Sequence, residues 1–223
     1  MRARARSSFR ALCLVIILLA STQLILLTTR DYTQKELATT PQRFEADNSE
    51  VTIVSLGESH ACAIGTLDQM KCWGDGEYGK TGHENTADYG DEEKEMGLYL
   101  MFADVGSGLT FTDVAAGDRF TCGLLNDATV KCWGRNDYGQ IGDGSVNTNR
   151  FSPVNVSLPS GEQARSLSQG SASSNRHMCA VMTDGSLYCW GQNTNGQIGD
   201  GTYCSSGSYI DGCNGHNGRS TPV

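Results

Sequence analysis

The residues of this chain best suited to chemistry are its nine cysteines, because paired thiols oxidise to disulfides. Three pairs recur with nine residues between the partners, and a fourth pair has eight residues between them. A nine-residue gap repeated in this way matches no common zinc-ligand spacing, so we expect disulfides and no metal centre. The expected pairs are Cys62 with Cys72, Cys122 with Cys132, Cys179 with Cys189, and Cys204 with Cys213.

The elements that must position these thiols are β-hairpins. A polar turn stands at the middle of each nine-residue gap, at residues 66–68, 126–128 and 183–185. Such turns between short apolar segments are typical of hairpins. Folding each hairpin about its middle residue places the two cysteines opposite each other, with Cβ atoms about 4.5–5.5 Å apart. The next pairs on the same face are apolar: Ile64 with Met70, Leu124 with Val130, and Val181 with Leu187.

The whole hairpin is a repeat, because its first cysteines are spaced 60 and then 57 residues apart. A tryptophan follows the second cysteine every time, as Trp73, Trp133 and Trp190. Side chains alternate along a strand, so each tryptophan lies on the face opposite the cystine. Sheets that are apolar on both faces must stack on similar sheets. We therefore predict that the three tryptophans are structural core residues between stacked blades and not a ligand platform.

The pattern Gly-x-x-His-x-Cys, followed by Cys-Trp-Gly and by the tail Gly-Gln-Ile-Gly-Asp-Gly, resembles the regulator of chromosome condensation repeat in its cysteine-paired, secreted or surface variant. The resemblance covers about residues 51–223 and implies a β-propeller, which in that family has about seven four-stranded blades. The expected fold is all-β, a partial propeller of about three four-stranded blades after one N-terminal transmembrane or signal helix. The blades would span about residues 51–110, 111–165 and 166–223, with the last one incomplete.

In the second repeat, the resemblance implies a first strand at Phe111–Ala116 and a central hairpin of Thr121–Leu125 and Thr129–Trp133. Its outer strand would be Ser152–Val156. The other repeats depart in their loops, which on propellers lie at the rims, where binding resides. The first has Gly79-Lys80-Thr81-Gly82 in its tail and then an acidic insertion, and the third has a longer exit loop around Cys204. The acidic residues of the insertion are Asp88, Asp91, Glu92, Glu93 and Glu95.

The N-terminus is a separate object. Residues 1–10 are basic, residues 11–29 are mostly apolar, and residues 30–50 are polar without periodicity. The apolar run approaches the ~17–25 residues of a spanning helix, and arginines before it place that side in the cytoplasm. We expect a single-pass signal anchor and a polar stalk, with the propeller lumenal or extracellular. The alternative is a cleaved signal peptide and a secreted protein.

Cysteine usage agrees with this topology, because an even set of paired cysteines behind a targeting segment favours an oxidising compartment. In such a compartment Asn155 is the acceptor of a glycosylation sequon, Asn155-Val156-Ser157. The single Cys13 lies inside the apolar run and is interpreted as another apolar residue, with palmitoylation as the alternative.

Charge argues against one class of function. The chain has 17 basic and 25 acidic residues, a formal net charge of −8, and every acidic residue follows Arg30. Such a surface repels phosphate backbones, so we expect no nucleic-acid partner. The founding member of the resembled family is an exchange factor for a nuclear GTPase on chromatin. The acidic charge and the outward topology both disfavour a guanine nucleotide exchange activity here.

No catalytic constellation or cofactor motif stands out. His60 and His177 occupy a repeat position that Phe120 holds in the second copy, which favours packing over acid–base duty. His83 and His216 lie in loops with no partner pattern. The Gly-Asp-Gly tails lack the rest of a calcium loop and are interpreted as turns, and the acidic insertion is interpreted as a solvated loop.

We therefore expect a non-catalytic, membrane-anchored module that recognises protein partners through its rim loops and is held in the membrane by residues 11–29. The alternatives are a secreted inhibitor or ligand of an extracellular enzyme, and a propeller enzyme with a site built from loops. The last repeat stops at Val223, where the previous repeat begins its outer strand. Three blades do not close a ring. We expect either self-assembly of several copies into a ring, or a truncated gene product.

Overall fold

The structure is a computed structural model that describes residues 50–170, 176–205, 207, 213 and 217–223. These residues form 11 β-strands and two short 3-10 helices, Glu77–Gly79 and Gly97–Tyr99, and the described part of the chain contains no α-helix. The all-β prediction is confirmed. Among the described residues no helix has the length and apolarity to cross a membrane. The expected anchor, Cys13 and His216 lie outside the described residues.

The strands form three antiparallel sheets, one for each repeat, and within each sheet the strands follow one another in chain order. The first sheet contains β1 (Val51–Leu56), β2 (His60–Gly65) and β3 (Met70–Gly74). The second contains β4 (Phe111–Ala116), β5 (Phe120–Leu125), β6 (Val130–Gly134) and β7 (Arg150–Asn155). The third contains β8 (Ala164–Gln169), β9 (His177–Met182), β10 (Leu187–Gln192) and β11 (Gly218–Arg219).

The prediction of four strands per blade is wrong for the first repeat, whose sheet has three strands. Beside β3, where a fourth strand would pair, Tyr89 forms an isolated bridge with Gly74. Further along, the N–H of Ala103 donates to the carbonyl of Met70 at 2.9 Å. The acidic insertion explains the difference, because Asp, Glu and Gly are poor strand formers and interrupt the pleated alternation. An irregular segment therefore covers this edge.

The hairpin register is the one that the sequence predicts. Each first cysteine lies opposite its partner, with Cα atoms 4.1 Å apart in all three hairpins, and each pair forms a disulfide. Cys204 and Cys213 form the fourth disulfide. The apolar pairs expected beside the cystines also face each other. In the third hairpin this pair is not buried, since Leu187 is 60 % exposed.

The sheets stack through unlike faces. The cystine face of the first sheet shares a core cluster with Phe111 and Trp133 of the second. The cystine face of the second sheet shares another cluster with Met178 and Trp190 of the third. Trp133 and Trp190 are completely buried, as a core role requires. Trp73 differs, because it is only partly buried and lies beside the insertion.

Two tail glycines allow this stacking. Gly82 and Gly142 have φ angles of +77° and +74°, and a Cβ on either would lie within 2.8 Å of the indole nitrogen of the following sheet. Only glycine fits such a left-handed position at so close an approach. The indole N–H of Trp133 then donates to the carbonyl of Lys80, and that of Trp190 to the carbonyl of Gln140, each at 3.0 Å.

Candidate functional site

A pair of side chains recurs where neighbouring sheets meet. Arg119, in the turn before β5, places its guanidinium 5.5 Å from the ring centre of Tyr78 in the first repeat's tail. Arg176, directly before β9, lies 5.1 Å from the ring centre of Tyr138 in the second repeat's tail. The two pairs occupy the same repeat positions. Each is a cation–π contact that links one repeat to the next.

The first of these pairs has an additional member. Arg135 places its guanidinium 4.9 Å from the ring centre of Tyr78, and the Nη1 of Arg119 donates to the Tyr78 hydroxyl at 3.2 Å. We call Tyr78, Arg119 and Arg135 the Tyr78 cluster. Tyr78 has a φ of +65°, which is uncommon for a residue other than glycine. Such a conformation persists only when the surroundings hold it, and it is found often at functional sites.

Carboxylates surround the arginines and balance their charge. The Nε of Arg176 donates to Asp118 at 2.9 Å, and Asp118 is buried. Burial opposes ionisation of Asp118, but its interactions with Glu58 and Arg176 hold its pKa below the usual range. The neighbouring Asp118 carboxyl group raises the pKa of the exposed Glu58. The Nε of Arg135 donates to Asp137 at 2.7 Å. A surface with such paired charges suits a polar protein partner better than a polyanion.

Beneath this surface lies a buried polar chain. The hydroxyl of Thr121 donates to the carbonyl of Lys80 at 2.8 Å, so His60 must donate its Nε2 proton to that hydroxyl, also at 2.8 Å. The Nδ1 of His60 is buried without a partner. Burial, aided by the charge of Lys80, lowers the pKa of His60 to about 4. The buried Lys80 ammonium is paired with Asp75 at 2.7 Å. His60 is therefore neutral near pH 7 and serves packing.

The other histidines also have structural surroundings. His83 is buried, and its Nε2 lies 3.0 Å from the carbonyl of Cys72. Burial lowers the pKa of His83 and of the partly buried His177. Phe120, at the repeat position shared with His60 and His177, is completely buried. Within the described part of the chain, His60, His83 and His177 form no hydrogen bond to a carboxylate of the kind that orients a general base.

The aspartates of the Gly-Asp-Gly tails form ion pairs within their own blades. Asp143 accepts a hydrogen bond from the Nε of Arg150, at the start of β7, at 2.7 Å. Asp200 accepts one from the Nε of Arg219, in β11, at the same distance. Each ion pair joins the tail of a repeat to the outer strand of the same sheet. Within the described residues no group of three or more His, Cys, Asp or Glu side chains is arranged to hold a metal ion.

The acidic insertion is partly folded on itself. The Glu95 carboxylate accepts from the N–H groups of Gly90 and Glu92, at 2.8 and 3.1 Å, and Asp88 accepts from the N–H of Gly76 at 2.9 Å. The remaining acidic side chains, Asp91, Glu92 and Glu93, are exposed. Asn155 of the expected sequon is exposed at the end of β7.

The arginine–tyrosine pairs were not predicted from the sequence. A signal was present, since an arginine precedes Phe120 and His177, and a tyrosine precedes Gly79 and Gly139. The first repeat has Ser59 at the arginine position, so comparison of all three copies concealed the pattern. Side chains so distant in sequence meet only because the sheets stack.

Antiparallel sheets that follow the repeats and stack cystine face against tryptophan face define a repeat protein built from β-propeller blades. Sequence profiles described as regulator of chromosome condensation (RCC1) repeats match residues 111–140 and 171–197, and 128–181. The chain therefore contains RCC1 repeats, and its three hairpin disulfides are those of the cysteine-paired variant.

Two curated proteins illustrate the relationship. The chain is 29 % identical over 162 residues to the ultraviolet-B receptor UVR8 of Arabidopsis thaliana, an alignment that covers 72 % of this chain and 34 % of UVR8. It is 31 % identical over 146 residues to the E3 ubiquitin-protein ligase HERC2 of Homo sapiens, covering 66 % of this chain and 3 % of HERC2. The chain thus spans about a third of UVR8 and a small part of HERC2.

Solved structures share the fold. Human WBSCR16 superposes with a TM-score of 0.58 at 20 % identity, over 78 % of this chain and 39 % of that one. Prp20p of Saccharomyces cerevisiae superposes with a TM-score of 0.57 at 20 % identity, over 78 % of this chain and 37 % of that one. At this identity the likeness establishes the blade architecture and leaves function to the site.

Proposed function

We propose that the protein is a non-catalytic recognition module that binds a protein partner through the rim at the junction of its first and second repeats. The observation that carries this proposal is the Tyr78 cluster, in which a partly exposed tyrosine in a left-handed backbone conformation contacts two guanidinium groups. Tyrosine and arginine are the residue types enriched in the energetic centres of protein interfaces.

The chemistry around the cluster supports binding over catalysis. The arginines are paired with carboxylates, and the buried His60 is neutral and hydrogen-bonded to a hydroxyl. The net charge of −8 favours a protein partner over a nucleic acid. Proteins of similar fold also bind proteins. Prp20p binds Gsp1p and histones, and the structure of yeast RCC1 (Prp20) was solved with Kap60 bound. The ligase activity of HERC2 is not part of the proposal, since this chain covers 3 % of HERC2.

The test is quantitative affinity capture by the full-length protein from the membranes in which it is expressed. Tyr78→Ala should reduce recovery of specific partners by about tenfold or more, as removal of an interface centre does. Tyr138→Ala is the matched control, because Tyr138 has the same repeat position but contacts Arg176 alone among the cation–π contacts of the described residues. Equal recovery with both variants, at equal thermal stability, would remove the Tyr78 cluster from the function.

The proposal includes a location. The recognition module is held by residues 11–29 as a signal anchor, with the repeats on the lumenal or extracellular side. The four disulfides support an oxidising compartment. Glycosylation at Asn155 is the readout, and Asn155→Gln is its control. A glycan removed by endoglycosidase and lost in the variant places the repeats outside, and an unmodified Asn155 with free thiols at Cys122 and Cys132 would contradict the topology.

A further inference from the structure

The first repeat exposes a short run of large apolar side chains. Leu98, Tyr99, Met101 and Phe102 are 73 %, 62 %, 58 % and 37 % exposed. We call these four residues the apolar strip. Single exposed apolar residues are ordinary, but a contiguous group of large ones marks an interaction surface. The strip begins within the 3-10 helix Gly97–Tyr99, at the outer edge of the first sheet, and shares no residue with the Tyr78 cluster.

The strip is fixed from beneath. Lys71, which is buried, donates to the carbonyl of Gly97 at 2.5 Å, and its ammonium lies 4.6 Å from the ring centre of Phe102. Lys131, at the same position in the second repeat, donates to the carbonyl of Val105 at 3.1 Å. The segment is thus held near both ends by lysines of successive hairpins.

Buried residues between the exposed ones also attach this segment to the first sheet. Leu100, Ala103 and Val105 are buried, and Ala103 and Val105 belong to the core cluster between the first two sheets. The exposed side chains therefore project from an anchored segment and not from a free loop. A surface that is ordered before binding loses less conformational entropy when a partner binds.

The negative charge of the chain before the strip indicates the chemical class of its partner. Between Glu84 and Glu95 the chain has six acidic residues and one lysine, and Glu95 is three residues before Leu98. Most of these acidic side chains are exposed. Anionic lipid head groups and nucleic acids would be repelled by this charge, whereas lysine and arginine side chains would be attracted. An apolar surface flanked by acidic groups is complementary to a segment that is both apolar and basic.

We propose that the apolar strip and the acidic insertion that precedes it form a docking surface for a basic, amphipathic peptide segment of a partner protein. The inference rests on the proposed recognition function, but it uses a surface separate from the Tyr78 cluster. Apolar side chains of the peptide contact the strip, and its cationic side chains contact the exposed carboxylates of Asp91, Glu92 and Glu93. Burial of the strip supplies affinity, and the charges supply selectivity and salt dependence.

The experiment measures binding of fluorescent synthetic peptides to the full-length protein in a zwitterionic detergent, by anisotropy. The probes are a Lys/Leu peptide, a Glu/Leu peptide and a Lys/Gly peptide of equal length. We expect the Lys/Leu peptide to bind at least about tenfold more tightly than the other two. The double variant Leu98→Ser with Tyr99→Ser, and the double variant Glu92→Gln with Glu93→Gln, should each weaken its binding by about tenfold.

Matched variants separate this surface from the rest of the molecule. Leu187→Ser removes a leucine outside the strip that is 60 % exposed. Glu50→Gln removes an exposed carboxylate outside the acidic insertion, and Tyr78→Ala removes the central ring of the Tyr78 cluster. All three should leave peptide binding unchanged. Loss of partner capture in Tyr78→Ala with peptide binding intact separates the two proposals.

Several results would overturn the inference. Equal binding of the Lys/Gly peptide would reduce the interaction to charge alone. No binding, or binding that both double variants retain, would place the docking surface elsewhere or nowhere. A mass by light scattering that shows a dimer, lost in Leu98→Ser with Tyr99→Ser, would assign the strip to a second copy of this chain.

Discussion

The three sheets meet at two junctions, one between the first and second sheets and one between the second and third. Both junctions contain the same hydrogen bond from a tryptophan side chain to a backbone carbonyl, but their other side chains differ. In both, an indole N–H donates to a tail carbonyl beside a glycine. In the first junction the adjacent pair is His60 and Thr121, joined by a hydrogen bond. The equivalent pair in the second is Phe120 and Met178, which belong to one apolar cluster.

This comparison shows which part of the repeat fixes the architecture. The carbonyl, the glycine and the tryptophan are kept, and they set how one sheet lies on the next. The neighbouring side chains can then change from an apolar pair to a polar one without altering the stacking. The polar version adds the buried imidazole of His60 to the first junction, and hence a dependence on pH that the apolar pair of Phe120 and Met178 does not have.

The largest expected effect tests the shared contact. Trp133→Ala and Trp190→Ala should each lower the free energy of unfolding by about 3–5 kcal/mol, because each removes a fully buried aromatic ring. Trp73→Ala should cost clearly less, since Trp73 is partly exposed. Urea denaturation of the oxidised full-length protein measures all three. An equal loss of unfolding free energy in Trp73→Ala would contradict the difference in burial between Trp73 and the two tryptophans at the sheet junctions.

The next effect concerns the cystines, which lie on the opposite faces. Replacing Cys122 and Cys132 together by serine should cost about 3 kcal/mol in the chain-entropy model for so short a loop. The same change at Cys179 and Cys189 opens a loop of equal length, but Cys179 is only partly buried, so less packing is lost. Paired denaturation curves compare the two variants. A larger loss in the third hairpin would contradict the stacking order.

Acid should weaken the first junction. The folded pKa of His60, about 4, lies below its unfolded value near 6.5, so the unfolded chain binds the proton first. Stability from this group is complete above about pH 6.5 and is lost as the pH falls toward 4, by up to about 3 kcal/mol.

His60→Phe imitates the second junction and is the control for this pH dependence. The variant should show a flatter dependence of unfolding free energy between pH 6.5 and 4, where part of the slope remains because burial also lowers the pKa of His83 and His177. An unchanged slope would mean that His60 is not buried as a neutral imidazole.

The smallest effects distinguish the two arginines at the rim. Arg176→Ala should cost about 1–3 kcal/mol, because it removes a hydrogen-bonded cation from the buried Asp118. Arg119→Ala should cost less than about 1 kcal/mol, since Glu58 and Glu77 are exposed and its Nε lies 3.7 Å from Asp118, which keeps its hydrogen bond from Arg176. Thermal melts in low and high salt provide the comparison, and a greater salt dependence is expected for the Arg119 contacts.

The hairpins could be predicted because their information is local. Nine residues with a polar turn in the middle determine which cysteines face each other, and the structure has that register. The strand expected at Phe111–Ala116 has those bounds, and the outer strand begins two residues earlier than expected, at Arg150. Alternation along the strands also placed the cystine and the tryptophan on opposite faces.

The features that escaped prediction depend on stacking or on an irregular segment. The fourth strand of the first blade is replaced by residues whose order comes from Lys71 and Lys131, two lysines that sequence alone assigns to solvent. The contact of Arg119 with Tyr78 joins residues of different repeats. These residues recur at fixed repeat positions, but the pattern of one strand or turn does not show which of them meet, because the contacts join several elements.

The stacking itself is tested most directly by the tryptophan indole protons. The chain contains three tryptophans, so a nitrogen-15 NMR spectrum of the oxidised full-length protein has three indole N–H signals to assign by Trp→Phe variants. We predict that the signals of Trp133 and Trp190 exchange slowly with deuterium, because both rings are buried and hydrogen-bonded to a tail carbonyl, and that Trp73 exchanges fast. Three signals with similar exchange rates would contradict the stacked arrangement.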